Sequence, residues 1–144
     1  MAKPITPEQL AKAGSEDALQ KALFCWASTS GIPELKWLFH IPNGGSRHIA
    51  EAGKLKAMGV KRGVPDIFLP IGRNGFKGLW VELKKPKTGI VSDDQQEWLD
   101  FLTNEGYATR VCFGWEEVKT ALLEYLGYVW VDQRFVCSRN REWK

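Results

Sequence analysis

Apolar residues fall at helical spacing in three stretches of the chain. Leu19, Ala22, Leu23, Trp26 and Ala27 make one stripe. Trp98, Leu99, Phe101 and Leu102 make a second, and Val118, Leu122, Leu123 and Leu126 a third. Capping chemistry agrees with these helices. Ser15 precedes the first, which Gly31-Ile32-Pro33 ends, and Ser92-Asp93-Asp94-Gln95 opens the second with the spacing of a capping box, Gly106 closing it. A further helix is expected from Ser46 through Ala57 with Gly59 as its stop. Thr6-Pro7-Glu8-Gln9 starts a short helix or a frayed arm within residues 1–14. Strand-like runs lie at Leu35–Ile41, Asp66–Pro70, Leu79–Leu83 and Tyr107–Phe113. The order helix, strand, helix, hairpin, helix, strand, helix predicts an α/β fold, a mixed sheet flanked by helices. The alternation at Val129, Val131, Phe135 and Cys137 adds one or two strands in a C-terminal extension, residues 127–144, packed on the domain or at a dimer interface.

The hairpin at Asp66–Leu83 carries the chemistry. Its second run is apolar except at Glu82 and Lys84, an i, i+2 pair that shares one face of a strand. Charges on so apolar a strand need partners or a task, because burying unpaired charge is costly. A two-residue loop at Asn74-Gly75 would pair Asp66 with Leu83 and put Asp66 and Glu82 on opposite faces. A three-residue loop, Arg73-Asn74-Gly75 with a bulge at Gly75, pairs Gly72 with Phe76 and sets Asp66 beside Glu82. The second register is the expectation. Adjacent carboxylates repel unless a cation lies between them, and oxygen ligands suit Mg²⁺ or Mn²⁺. The residues therefore predict a metal site with Lys84 beside it.

Composition narrows the setting. At 144 residues the chain fits one domain with a sizeable core. No apolar run approaches the roughly 20 residues that span a bilayer, and no signal peptide is evident, so the expectation is a cytoplasmic protein without a membrane partner. Cys25, Cys112 and Cys137 lack metal-ligand spacing and read as reduced thiols, the first two in the core. A net charge of +3 permits a nucleic-acid partner without demanding one. The clustering says more: Lys54, Lys56, Lys61 and Arg62 precede the Asp66 strand, and Lys84, Lys85 and Lys87 end the Glu82 strand and follow it. Both clusters flank the proposed metal, where a phosphate backbone would lie. His40, alone on an apolar strand, reads as structural. Asn43 and its two glycines read as turn residues whose backbone, with Arg47 and His48, could approach phosphate.

Pro65-Asp66 followed by Glu82-Leu83-Lys84 resembles the PD…(D/E)xK signature of a nuclease superfamily. More narrowly, four motifs in order resemble the virus-type replication-repair nuclease (VRR-NUC) family. These are His40-Ile41-Pro42-Asn43-Gly44-Gly45, Gly63-Val64-Pro65-Asp66, Glu82-Leu83-Lys84 and Ser92…Gln95…Trp98. The resemblance spans residues 15–126 and implies a restriction-endonuclease-like αβββαβ core. It implies that Asp66 and Glu82 hold the metal with the Leu83 carbonyl, that Glu16 reaches it from the first helix, and that Gln95 supports the site. From the residues alone, Glu16 is a first-turn carboxylate suited to the helix dipole, and Gln95 is explained by its capping box.

The resemblance further implies a structure-selective DNA endonuclease acting on branched replication or repair intermediates. For a single-domain member it points to four-way junctions and a homodimer. Rival readings are a restriction-type or flap-directed duplex nuclease, a nucleic-acid-binding module with a decayed site, and a structural domain in which Glu82 and Lys84 only pair. Seven tryptophans, Trp115, Trp130 and Trp143 among them, are many for one small core, although packing is the default expectation for each.

Overall fold

A computed structural model of the chain describes residues 2–42 and 49–137. The expected roles of Asn43, Arg47 and His48, the Ser46 helix start and Trp143 lie outside them. The elements are α1 (Pro7–Ala11), α2 (Glu16–Thr29), β1 (Phe39–His40), α3 (Ile49–Ala57), β2 (Ile67–Leu69) and β3 (Leu79–Lys84). They continue as α4 (Asp93–Asn104), β4 (Ala108–Phe113), α5 (Trp115–Leu126), β5 (Tyr128–Val131) and β6 (Arg134–Cys137). Four strands form one mixed sheet in the order β1-β2-β3-β4, antiparallel except for the parallel pair β3–β4. This is the α/β architecture that the sequence predicts.

The sheet has two unlike faces. Ile67, Leu69, Leu79, Val81 and Leu83 are almost completely buried against Leu19, Leu23 and Trp26 of α2 and Val118, Leu122 and Tyr125 of α5. Asp66, Phe68, Trp80, Glu82 and Lys84 take the alternate positions and so the other face. There α4 lies across the sheet, its Thr103 hydroxyl 2.8 Å from the Thr109 hydroxyl of β4. Gly106 turns the chain from α4 into β4 at φ +96°, and its amide bonds Thr103 O.

The hairpin corrects one expectation and keeps its consequence. The strands pair Ile67 with Val81, Phe68 with Trp80 and Leu69 with Leu79, so one step further Asp66 stands across from Glu82. The tip, however, is the two-residue turn, not the three-residue loop. Asn74 and Gly75 both have positive φ, 55° and 82°, and Arg73 pairs with Phe76. The two registers differ by one residue. It is absorbed where Pro70–Gly72 faces Lys77–Gly78, and the Ile71 amide there bonds back to Leu69 O at 2.9 Å. Tyr125 of α5 fixes this arrangement. Its hydroxyl donates to Ile71 O and accepts the Arg73 N–H, while the Asn74 side chain donates to Tyr125 O.

The run expected as a strand at Leu35–Ile41 is a 3-10 turn, Pro33–Trp37, followed by the two residues of β1. Pro33 starts the turn, and Leu35 and Leu38 go to the core. In the tail, β5 and β6 form a separate two-stranded sheet. Phe135 packs edge-on against Trp26, whereas Trp130 is 61% exposed and departs from the packing expectation. Cys112 is buried, Cys25 only half-buried and Cys137 exposed. No helix among the described residues is long and apolar enough to cross a membrane.

Candidate active site

Period-two alternation along β3 carries Glu82 and Lys84 onto the α4 face, where they are 2% and 7% exposed. Lys84 Nζ lies 3.4 Å from Glu82 Oε1. Asp66, delivered by Pro65 at the start of β2, accepts the Leu83 N–H on Oδ2 at 3.0 Å. Two carboxylates and an ammonium thus meet where an antiparallel pair begins to part.

The first turn of α4 closes over them. Ser92 and Gln95 form the reciprocal capping box: Gln95 Oε1 accepts the Ser92 N–H at 2.9 Å, and Ser92 Oγ accepts the Gln95 N–H at 3.2 Å. The other end of the same amide is free to turn inward, and Nε2 donates to Glu82 Oε1 at 2.7 Å. One turn on, the Trp98 indole donates to Arg62 O at 3.0 Å. Gly63 sits so close to α4 that a Cβ there would lie 2.6 Å from the carbonyl carbon of Asp94, and its φ of +84° also favours glycine. The same helix turn therefore holds Glu82 directly and Asp66 through the loop that leads to it.

Burial dominates the electrostatics. It raises the Glu82 carboxyl to about 8, helped by the charge of Asp66, against the lowering effect of Lys84. Burial also raises Asp66, although the Leu83 amide and Lys84 oppose it. Glu82 Oε2 is buried and has no hydrogen-bond partner in the protein. An orphaned acceptor on a buried carboxylate beside the half-buried Asp66 is what a cation would satisfy. Among the described residues no three His, Cys, Asp or Glu side chains come together as ligands. Asp66 and Glu82 would supply two carboxylates to a divalent ion, and other oxygens would have to complete its shell. This suits Mg²⁺ or Mn²⁺, which accept few protein oxygens and keep water ligands.

The other predicted residues are distributed around this pair. Glu16 is exposed on the first turn of α2 and is not gathered with Asp66 and Glu82. Lys61, Arg62 and Lys85 are exposed where the chain enters β2 and leaves β3. Arg62 meets Asp94 only at 3.9 Å with most of its side chain in solvent, a contact worth little. His40 is satisfied structurally, its Nδ1 3.1 Å from Asp66 O, which also accepts the Ile41 N–H. The sequence places Trp98 on the apolar stripe of α4 and both Gly63 and Trp98 within family motifs, but not in these contacts. The one available signal was that Trp98 follows Gln95 by three residues, on the same side of a helix.

The VRR-NUC domain family matches residues 12–115. A solved structure described as a VRR_NUC domain protein superposes with a TM-score of 0.67 at 30% identity, covering 78% of this chain and 88% of the other. Comparison with curated proteins gave no match. Family match, shared fold and the Asp66–Glu82–Lys84 cluster concur: the chain belongs to the VRR-NUC domain family and is a nuclease-type domain.

Proposed function

We propose that the protein is a Mg²⁺- or Mn²⁺-dependent endodeoxyribonuclease. In this reading it hydrolyses phosphodiester bonds in branched DNA, four-way junctions above all, as a homodimer in a reducing, cytoplasmic setting. The observation that carries it is the unpartnered Oε2 of buried Glu82 beside the half-buried Asp66, with an ammonium 3.4 Å from the other Glu82 oxygen.

Asp66 and Glu82 would hold the ion, with the Leu83 carbonyl and with Glu16, directly or through water, as further oxygen donors. When bound, the ion supplies positive charge to the scissile phosphate and lowers the pKa of a nearby water. Lys84, as an ammonium, keeps the attacking water directed at phosphorus and adds charge stabilisation as the phosphorane-like state forms. Gln95 fixes the Glu82 carboxylate in the rotamer that serves this site. Lys61, Arg62, Lys85 and Arg47 would neutralise backbone phosphates near the cut, and Asn43 would hydrogen-bond to them.

The dimer follows from counting sites. One domain offers one such cluster, whereas resolving a four-way junction needs two symmetric cuts, and a two-fold dimer supplies both. The test is incubation with hairpin, duplex, flap and four-way DNA, with Mg²⁺, Mn²⁺ or chelator, paired with sedimentation at micromolar concentration. Metal-dependent junction cutting by a dimer is expected. A monomer that cuts only flaps would move the substrate to flaps. DNA binding without cutting would mark a non-catalytic module, and Mn²⁺ binding no better than background would leave only a structural ion pair.

A further inference from the structure

Two cross-strand rows lie side by side on the α4 face of the sheet. One is Asp66 and Glu82. The other, one step nearer the hairpin tip, is Phe39, Phe68 and Trp80, paired across β1, β2 and β3. Neighbouring rows on one face are two residues apart along a strand, roughly 7 Å, or about two base-stacking steps of DNA. We propose that Phe39, braced by Phe68 and Trp80, is a stacking platform for a base exposed at a branch point near the scissile phosphate. This rests on the reading of Asp66 and Glu82 as the hydrolytic centre.

The brace is rigid. Phe68 and Trp80 are stacked at 4.1 Å with their planes 18° apart, and Tyr107 meets both rings edge-on. Gly78 leaves room for the Phe68 ring, which a Cβ there would meet at 2.8 Å. Phe39 stands nearly perpendicular to Phe68, 5.7 Å away, and is 46% exposed on an edge strand. A ring so held loses little freedom when a base stacks on it. Stacking on an aromatic ring accepts any base, so the platform reads no sequence. It distinguishes strand state instead. A base inside a duplex must first be unstacked, whereas a flap base is already single-stranded and a base pair at an open four-way branch point has already lost a stacked neighbour. Exposed Lys61, Arg62 and Lys85 around the neighbouring row provide for the phosphates of the same strand. The platform thereby supplies a physical basis for selecting branched DNA without base-specific hydrogen bonds.

Photocrosslinking tests this on the full chain. Flap and four-way DNA carry 5-iodouracil at successive positions within two nucleotides of the branch, in chelator so that strands stay whole, and crosslinked residues are mapped by mass spectrometry. The expected result is a crosslink at Phe39 from flap and branch-point positions and none from a continuous duplex. Phe39→Ala should weaken branched-DNA binding by about tenfold, within the range of one base–aromatic stack, and leave duplex binding unchanged. Phe39→Trp should restore it. Should Phe39→Ala melt early, Phe39→Leu keeps the apolar bulk without a ring, and the wild-type crosslink map is independent of either variant. Crosslinks confined to other residues, or Phe39→Leu binding branched DNA as the wild type does, would overturn the platform. So would loss of the dimer in Phe39→Leu with DNA binding unchanged, which would make this edge a contact between copies. Metal-dependent cutting without the Phe39 crosslink refutes the platform alone, and the crosslink without cutting upholds it while refuting the nuclease reading.

Discussion

Gln95 Nε2 donates to Glu82 Oε1 at 2.7 Å while Gln95 Oε1 caps its own helix through the Ser92 amide. The two functions that the sequence offers as alternatives occupy opposite ends of one amide. Capping and carboxylate orientation are consequently linked: while Oε1 accepts the Ser92 amide, Nε2 is aimed at Glu82.

Substitutions at Gln95 should separate the two roles. Gln95→Glu keeps an acceptor for the capping box and replaces the donor to Glu82 with a second carboxylate. Its melting temperature should stay close to wild type, while turnover falls by roughly 10- to 100-fold, the usual effect of losing a partner that orients a metal ligand. Gln95→Ala loses both and should in addition cost about 1 kcal/mol of stability. Thermal melts beside single-turnover rates decide it. Full activity in Gln95→Glu would reduce Gln95 to a cap.

Asp66→Asn, Glu82→Gln and Lys84→Ala should each remove most activity and leave the fold intact. For Lys84 the expected loss is at least about 100-fold, the scale of one preorganised donor to the developing negative charge. Glu82→Gln has a second signature: by removing a buried carboxylate it should raise the melting temperature of the metal-free protein at alkaline pH. A Lys84→Ala protein that cuts DNA at the wild-type rate would refute its assigned chemistry.

How much of this was legible beforehand depends on the range of the contacts. Alternation along β3 gave the shared face of Glu82 and Lys84, and cap spacing gave the start of α4, because both are local. The pairing of Asp66 with Glu82 was also foreseen, but through the wrong turn. The tip is set by Tyr125, some fifty residues further along, which no local rule contains. The contacts of Gly63 and Trp98 were silent for the same reason, since their partners Asp94 and Arg62 arrive only when α4 docks. Leu35–Ile41 was misread because its apolar residues follow core burial from a 3-10 turn and not strand alternation. Glu16 was expected at the metal by resemblance, and its exposed position on α2 leaves that role as a proposal.

Gly63 yields a prediction away from the chemical groups. Gly63→Ala introduces a methyl group 2.6 Å from Asp94 backbone at a φ of +84°, so the loop or the helix must shift. Overpacking of this kind costs about 1–3 kcal/mol. The shift moves Asp66 relative to Glu82, and metal affinity should fall together with turnover. Mn²⁺ titration followed by a melt is the measurement. Wild-type Mn²⁺ affinity in the alanine variant would show that this contact does not position Asp66.

The raised carboxyls predict a pH dependence with a definite sign. In the metal-free fold Glu82 is raised from an ordinary 4.5 to about 8, and Asp66 is raised as well. The folded state therefore holds more protons than the unfolded state between those values, so their stabilising contribution is complete below about 4.5 and lost as pH climbs through about 8. Metal-free wild type should lose melting temperature across this window relative to Glu82→Gln, which lacks the titrating group. A divalent cation held by Asp66 and Glu82 would displace the Glu82 proton, so its binding should release protons below pH 8 and its apparent affinity should rise with pH, levelling off above that value. Saturating Mg²⁺ or Mn²⁺ should then flatten the wild-type melting curve against pH. Melts from pH 5 to 9 with chelator and with metal test the two halves together. A metal-free protein whose stability rises relative to Glu82→Gln over this window would mean that Glu82 is ionised throughout, and that no proton competes for the site.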